Sequence, residues 1–440
     1  MLNAKEINRL AIPAILFNIT EPLIGLADIA IIGQLENDVT QAQGGVGLAA
    51  GLFATLVWGF AQMRTALSAI ISRHFGQNNL KPTFSLVPQT LALTLVIGII
   101  VSILTACFYD TITNFIYGKI SPKTYLYSES YYLIRSLGLP FSLGIALFFG
   151  IFRGIQNTTW AMYICLIGGA INIVLDFILI LGIDGLFNGM GVKGAATASI
   201  IAQATMFILS IIVLYKKTPF TLSFSIKKNP FFNEMIHIFW NMFIRTIVLN
   251  IVFILANRFA NKNGDIQLTA YTIGYNIWIF SSFFIDGFSN AGNALAGKFL
   301  GAKDRKNLSL LGDKLLRINL SISLLLALVY FIFYPVIGSL FNNDPEVNKF
   351  FKATFWIIII AQPFNSIAFT FDGIFKGLGE AVYLRNTLII GSLFIFMPLL
   401  YILDHFDLKL TAVWLSMMGW MIFRGGSLYW KFKKIARTQL

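Results

Sequence analysis

Charged residues are scarce in this chain of 440 residues. Lys and Arg number 33 and Asp and Glu number 20, which together make 12% of the sequence. Soluble domains average about 25% charged residues, so the composition excludes an ordinary soluble globular protein. Disorder is excluded as well, because disordered chains are poor in aromatic residues and 15% of this chain is Phe, Trp or Tyr.

Cysteine and catalytic or nucleotide-binding motifs are equally sparse. The two cysteines, Cys107 and Cys165, stand in apolar surroundings and in no metal-ligand spacing, which predicts small packing residues. Walker-type phosphate loops are absent, so the sequence does not support driving by ATP. Because HExxH and GxGD are absent too, we expect no enzymatic activity, intramembrane proteolysis included, and no cofactor.

Long apolar runs make up most of the sequence. The chain is 57% hydrophobic, with a mean hydropathy of +0.74. A membrane-spanning helix needs about 20 apolar residues, and the runs are continuous rather than alternating, which excludes an outer-membrane barrel. The sequence predicts an all-α polytopic membrane protein with 12 transmembrane helices, at 9–34, 45–73, 86–109, 124–154, 159–182, 192–215, 235–261, 267–299, 311–341, 348–378, 384–403 and 409–432.

The net charge of +13 indicates membrane topology rather than nucleic-acid binding. With the N-terminus in the cytoplasm, roughly two thirds of the basic residues fall in cytoplasmic segments, as the positive-inside rule requires. In this count only Arg64 and Arg245 fall within spans. We therefore expect a multi-pass protein of the cytoplasmic (inner) membrane with both termini cytoplasmic, and a first helix that is retained rather than cleaved as a signal peptide.

The two halves of the chain are related by duplication. PFSLGIALFFGIFRGI at 140–155 and PFNSIAFTFDGIFKGL at 363–378 share seven of 16 positions. Six helices in each half give both the same orientation, which predicts two six-helix lobes related by a parallel pseudo-two-fold. We divide the chain into an N-lobe (1–215), a cytoplasmic linker (216–234) and a C-lobe (235–440).

Five acidic residues fall within the predicted spans. A carboxylate at the bilayer centre costs about 2.5–3.5 kcal/mol on insertion scales, so such residues face a cavity or a partner. Pairing with Arg64 or Arg245, or protonation against a neighbouring helix, would be a purely structural explanation. The five residues are Glu21, Asp28, Asp176, Asp286 and Asp372.

The N-lobe alone keeps a polar set that suits a small cation. Asn172 and Asp176 lie four residues apart on one helix face, and Asp28 lies on the first helix. Two neighbouring carboxylates cannot both ionise cheaply, so the set would bind a proton, or Na⁺ with amide and hydroxyl oxygens. The corresponding C-lobe positions are apolar: Ile395, Leu399 and, for Asp28, roughly Leu255.

Several segments in order resemble the multidrug and toxic compound extrusion (MATE) family, most closely its DinF-like branch. They run through almost the whole chain on the duplicated 12-helix frame. The segments are AIPAILFNITEPLIGLADIAIIGQL (11–35), MRT (63–65), RGIQNT (153–158), INIVLDFILILG (171–182), GVKGAATAS (191–199), FIRT (243–246), FFIDGFSNAGNALAGKFLGA (283–302) and FDGIFKGLG (371–379).

The resemblance implies a V-shaped transporter with a central cavity between its lobes. It would export amphiphilic, often cationic organic compounds in exchange for H⁺ or Na⁺. The family's cation site corresponds to Asp28, Asn172 and Asp176, with Ser199 where the family has Thr. Pro13 matches the proline at which the first helix bends. Candidates for the cavity or for gating are Glu21, Arg64, Arg245, Asp286 and Asp372.

Other functions remain open at this stage. The main alternative is a flippase for lipid-linked precursors, from the same superfamily, whose cavity would be lined with Arg and Lys. The count of five acids against two Arg within the spans favours cationic or neutral cargo. An ion channel is less favoured, because nothing resembles a pore filter. As partners we expect small amphiphilic organic substrates and the lipid bilayer, no nucleic acid, and a monomer.

Overall fold

The computed structural model describes residues 2–35, 37–183, 186–223 and 227–438. It is almost entirely helical, with one short β-hairpin (β1, Gly182–Ile183; β2, Phe187–Asn188). The helices are α1 Ala4–Ile32, α2 Val39–Phe60, α3 Met63–Gly76, α4 Leu86–Cys107, α5 Tyr109–Tyr117, α6 Pro122–Ser136, α7 Leu139–Gly154, α8 Thr159–Leu181, α9 Val192–Lys217, α10 Phe232–Lys262, α11 Asp265–Gly301, α12 Arg305–Ile332, α13 Pro345–Leu378, α14 Ala381–Gly391, α15 Met397–His405 and α16 Lys409–Thr438.

These helices form the 12 predicted spans, three of them interrupted. Ten segments of the described chain are long and apolar enough to cross a membrane, and the bent pair α6–α7 makes an eleventh. The helix α16, with 30 residues, is the twelfth long segment. The second span is α2 followed by α3, and the eleventh is α14 and α15 joined by one π-helical turn.

The predicted boundaries were wrong at several of these breaks. The fourth span was predicted as one helix over 124–154, but it bends by 53° between α6 and α7. Pro140 lies in the first turn of α7, where it lacks the N–H that would continue the preceding helix. The second span begins at Val39 rather than at 45, and the ninth ends at Ile332 rather than at 341. The short helix α5 was not predicted.

Three apolar cores describe how the halves are joined. One core contains only residues of the first half, such as Ile31 and Val46. A second contains only residues of the second half, such as Val252 and Trp420. The third is shared, and it includes the beginning of α1 and the end of α11. The two halves therefore join at the end where α1 begins and have separate cores towards the other end.

Glycines allow the closest approach between the halves. A Cβ atom on Gly76 at the end of α3 would lie 1.9 Å from the Lys298 carbonyl oxygen, and one on Gly301 at the end of α11 would lie 1.8 Å from that of Arg73. Both distances are far below van der Waals contact. Because the backbone cannot yield as a side chain does, the junction requires glycine at both positions.

We predict that Gly76→Ala and Gly301→Ala each lower the free energy of unfolding by about 1–3 kcal/mol, the usual cost of overpacking. The matched control is Gly47→Ala in α2, where a Cβ would meet nothing within 4 Å. This control should be neutral or slightly stabilising, because Ala favours a helix over Gly. Thermal unfolding of the purified protein in detergent checks the comparison, and equal melting temperatures for all three variants would contradict it.

Candidate functional site

Four of the residues predicted as a cation site lie buried in the first half of the chain. Asp28 is on α1, Asn172 and Asp176 are on α8, and Ser199 is on α9. Their exposed fractions are 5% or less, and Asp176 is fully buried. The carboxyl groups of Asp28 and Asp176 lie close enough to influence each other electrostatically. The structure thus brings together Asp28 and Asp176, which are about 150 positions apart in the sequence.

Helix packing explains why these side chains meet. The helix α8 packs against both α1 and α9, and Asn172 and Asp176 share one of its faces because they are four residues apart. Gly169, one turn before Asn172, would place a Cβ only 3.2 Å from the Ile24 side chain of α1. The absence of a side chain at this position lets α1 approach α8 closely enough for Asp28 to reach Asp176.

The polar atoms of this site are not satisfied by the protein. Both carboxylate oxygens of Asp176, Oδ1 of Asp28 and both amide atoms of Asn172 are buried without a hydrogen-bond partner within the described chain. An unpaired buried polar group costs about 1–3 kcal/mol, so five such atoms in one place destabilise the folded protein considerably. Oxygen atoms of carboxylates and amides are ligands for a hard cation such as Na⁺, and the carboxylates also accept a proton.

Arg135 and Tyr131 also lie at this site, although neither was predicted from the sequence. Arg135 on α6 interacts electrostatically with Asp28 and Asp176, and Tyr131 one turn earlier lies beside Arg135 and Ser199. The Arg135 guanidinium donates to Gln203 Oε1 at 2.7 Å and lies over the Phe53 ring. Arg135 was counted as extramembranous, although it lies within the predicted span 124–154. The position of Arg135 within this predicted span could have indicated that its side chain lies inside the protein.

Asp372 lies in a different environment, among three cations. Arg245 on α10 donates to Asp372 Oδ1. Lys376, which is on α13 like Asp372, lies 2.6 Å from Oδ2. The Arg424 guanidinium on α16 lies 3.7 Å from Oδ1. Asp372 and both arginines are buried. The structural explanation for a buried carboxylate, pairing with Arg245, therefore applies to Asp372 and leaves no bare charge on it.

Asp286 lies in a polar seam between the two halves. Its Oδ2 accepts hydrogen bonds from Asn18 on α1 at 3.3 Å and from Asn290 on α11 at 3.0 Å. Arg153 on α7 donates to Asn290 Oδ1 at 2.6 Å and to Ser68 at 3.0 Å. We call the set Asn18, Arg153, Asp286 and Asn290 the interlobe seam.

Arg64 lies near this seam without closing it. Its side chain is half-buried, its Nε atom has no partner among the described residues, and it interacts electrostatically with Arg153. Arg153 and Arg424 were counted as cytoplasmic, and the structure corrects this because both are buried on membrane-spanning helices. The tally of two Arg within the spans, which favoured cationic cargo, was therefore too low.

The remaining candidates lie on α1. Pro13 is buried within a helix that continues without a break from Ala4 to Ile32. Proline has no N–H to donate to the carbonyl four residues earlier, so the Arg9 carbonyl lacks its helical partner. The backbone of Glu21 is helical, but its side chain lies outside the described residues.

The family model described as MatE matches residues 13–178 and 242–402, which is well over half of the chain. The chain therefore belongs to the MatE family. Members of this family are multidrug and toxin efflux transporters, not enzymes, and they need no cofactor. The two six-helix lobes predicted from the duplication agree with the fold of the family's known structures, and the resemblance stated from the sequence is confirmed.

Relatives extend over nearly the whole chain. The DNA damage-inducible protein F of Escherichia coli (strain K12) is 25% identical over 96% of this chain and 91% of its own length. The probable multidrug resistance protein NorM of Thermotoga maritima is 25% identical over 96% and 90%. The structure of the Vibrio cholerae MATE transporter VcmN in the bent form superposes with a TM-score of 0.89 and 17% identity, covering 99% of this chain and 97% of that one.

We predict that Asp372→Asn lowers the free energy of unfolding by about 3–5 kcal/mol, because it leaves Arg245 and Arg424 buried without a countercharge. The matched control is Asp313→Asn, which removes an ion pair to Lys433 at 2.8 Å whose side chains are one-third or more exposed. Exposed pairs contribute about 1 kcal/mol or less. Detergent melting curves measure both variants, and equal effects would show that Asp372 is no structural charge partner.

Proposed function

We propose that the protein is a secondary antiporter that exports amphiphilic, mainly cationic organic compounds in exchange for H⁺ or Na⁺. The observation that carries this proposal is the buried set of Asp28, Asn172 and Asp176, in which Oδ1 of Asp28, Oδ1 of Asn172 and both carboxylate oxygens of Asp176 have no hydrogen-bond partner in the described chain. A site that lacks only a cation changes its energy strongly when a cation arrives. Such differential binding is what couples an ion gradient to a conformational change.

The charges of the site suggest how many ions it takes. Asp28 and Asp176 contribute two negative charges when ionised, and Arg135 contributes one positive charge. One monovalent cation, either a proton or Na⁺, brings the sum to zero, and Ser199 and Asn172 offer further oxygens to Na⁺. Since uncompensated charge is costly within a bilayer, the neutral state with one bound cation is the stable one.

The helix α1 is the element through which the site would act on the rest of the protein. Its first turns lie in the shared core, Asn18 lies in the interlobe seam, and its last turns lie in the core of the first half. Pro13 stands where α1 leaves the shared core. We infer that α1 bends at Pro13 when the cation site is filled or emptied. The bent form of VcmN is a solved state of a protein with the same fold.

The two lobes would then rock about the shared core. We assign residues 1–215 and 235–440 to the lobes and 216–234 to a cytoplasmic linker, with both termini on the cytoplasmic side of the inner membrane. The interlobe seam and the contacts of α3 with α10, α11 and α13 join the two halves at the end that we assign to the cytoplasm. This arrangement supports an outward-facing state. Release of the seam would open the path to the cytoplasm.

The flippase alternative is less well supported. Relatives of this chain carry the names multidrug resistance protein NorM and multidrug export protein MepA. Four of the arginines that are buried or half-buried within the helices have partners in the protein. Arg245 and Arg424 face Asp372, Arg153 belongs to the seam, and Arg135 lies beside the cation site. A labelled lipid pyrophosphate tested against a cationic dye in a binding assay separates the two functions, and preference for the pyrophosphate would favour the flippase.

We expect Asp28→Asn and Asp176→Asn each to abolish coupled dye efflux from proteoliposomes, because an amide neither binds a proton near neutral pH nor carries the charge that attracts Na⁺. The measurement is dye transport driven first by a pH gradient and then by a Na⁺ gradient, which also identifies the coupling ion.

The control is Asp110→Asn, which changes an exposed carboxylate on α5. It should transport at the wild-type rate. All three variants should purify in similar amounts, so that a loss of efflux reports coupling rather than folding. Efflux at wild-type rates in both the Asp28 and the Asp176 variants would refute the assigned cation site.

For the hinge we predict that Pro13→Ala reduces efflux about tenfold while the protein still folds, because the new N–H completes the helix and resists bending. The control is Pro122→Ala at the first position of α6, where proline interrupts no hydrogen bond, and it should leave efflux unchanged. If Pro13→Ala transports like the wild type, bending at this residue is not the switch.

A further inference from the structure

A cavity of about 410 Å³ opens beside the beginning of α1, away from the cation site and the seam. It lies among the first turns of α1 and α8 and the last turns of α3, α7 and α9. Its volume is within the range of small-ligand sites. The side chains that matter below are Arg9, Phe75, Asn157, Thr159, Trp160 and Lys217, and we call this the basic pocket.

The charge of the basic pocket has one sign only. Arg9 from α1 and Lys217 from the end of α9 line it, and no acidic residue is among its lining residues. Within the described chain neither cation forms an ion pair or a side-chain hydrogen bond. Other basic residues near this end of the molecule are paired, such as Arg73 with Glu234 and Lys298 with Glu6. Two unpaired cations on the wall of one cavity favour an anion.

The first turn of α8 adds hydrogen-bond donors at the same place. The first four N–H groups of a helix lack intrahelical partners and carry partial positive charge. Asn157 Oδ1 accepts one of them, from Thr159, and the next N–H group belongs to Trp160, which also lines the pocket. Helix N-termini of this kind bind phosphate groups. Trp160 and Phe75 form the apolar side of the pocket, and Trp is enriched at the membrane–water interface.

We propose that the basic pocket binds the phosphate group of an anionic phosphate ester, held by Arg9, Lys217 and the beginning of α8. The headgroup of an anionic phospholipid and a free phosphate ester share this chemistry. The half-buried apolar wall of Trp160 and Phe75 would contact the organic part of the ester. This binding site is independent of the cation site and of the exported compound.

Occupation of the pocket would fix the first turns of α1. Arg9 is four residues before Pro13, and its carbonyl is the group that proline leaves without a helical partner. Thr158 already donates to the Leu10 carbonyl at 2.8 Å, so α8 holds α1 at this turn. A phosphate between Arg9 and Lys217 would tie the same turn to α9. The anion therefore holds the segment of α1 that precedes Pro13.

The test compares binding of three probes to the full chain purified in a neutral detergent. The probes are dioctanoyl phosphatidylglycerol, dioctanoyl phosphatidylcholine and glycerol 3-phosphate, measured by microscale thermophoresis. The variant is Arg9→Gln with Lys217→Gln. The matched control is Lys5→Gln with Lys216→Gln, which removes the same charge from the same two helices at positions that do not line the pocket.

We expect saturable binding of phosphatidylglycerol that weakens about tenfold or more in the pocket variant and changes less than about twofold in the control, since charge-assisted hydrogen bonds are lost only in the former. Phosphatidylcholine, which has no net charge, should bind about tenfold more weakly. Glycerol 3-phosphate binding as well as phosphatidylglycerol would identify a free ester as the ligand, and much weaker binding would identify the lipid.

Three results would overturn the proposal: no saturable binding of either anionic probe, unchanged binding in the pocket variant, or an equal loss in variant and control, which would indicate diffuse attraction to a basic surface. Melting curves without probe verify folding. Arg9 and Lys217 are exposed, and the single variants repeat the comparison if the double variant does not purify.

Discussion

Charge inside a bilayer has to be neutralised by the protein or by what the protein binds, because the hydrocarbon offers neither water nor counterions. The two halves of this chain meet that requirement differently. In the second half Asp372 is surrounded by Arg245, Lys376 and Arg424. In the first half Asp28 and Asp176 lie together, and Arg135 is their cationic neighbour among the described residues. In the second half the protein itself supplies the countercharge of the buried carboxylate, whereas in the first half two carboxylates share one cationic neighbour among the described residues.

The arrangement of the three apolar cores determines where binding of a cation can move one half relative to the other. The halves share a core at one end and have separate cores at the other. Close packing at the shared end, with glycines against backbone carbonyls, resists gradual deformation, so a change there is expected to occur between discrete states. The cation site lies towards the separate end, where the first half can rearrange without disturbing the second.

Much of this could be predicted from the sequence, for identifiable reasons. Asp28, Asn172 and Asp176 stand out because an ionisable residue within an apolar run is rare and because the duplicated half is apolar at the same positions. The bend between α6 and α7 and the burial of Arg135, Arg153 and Arg424 were missed. An arginine near a span end looks the same in sequence whether its long side chain reaches water or turns inward, and only tertiary packing decides between the two.

The helix α1 is where these two constraints meet. It packs against α8, which carries Asp176, and against α11, which carries Asp286. Asp28 lies on its later turns and Asn18, bonded to Asp286, on its middle turns. A cation that binds at Asp28 therefore acts on a helix that also holds the two halves together. Reciprocity of binding free energies then requires that whatever separates the halves also changes the affinity for the cation. In the antiport that we propose, this linkage would couple the ion to the cargo without any direct contact between the two.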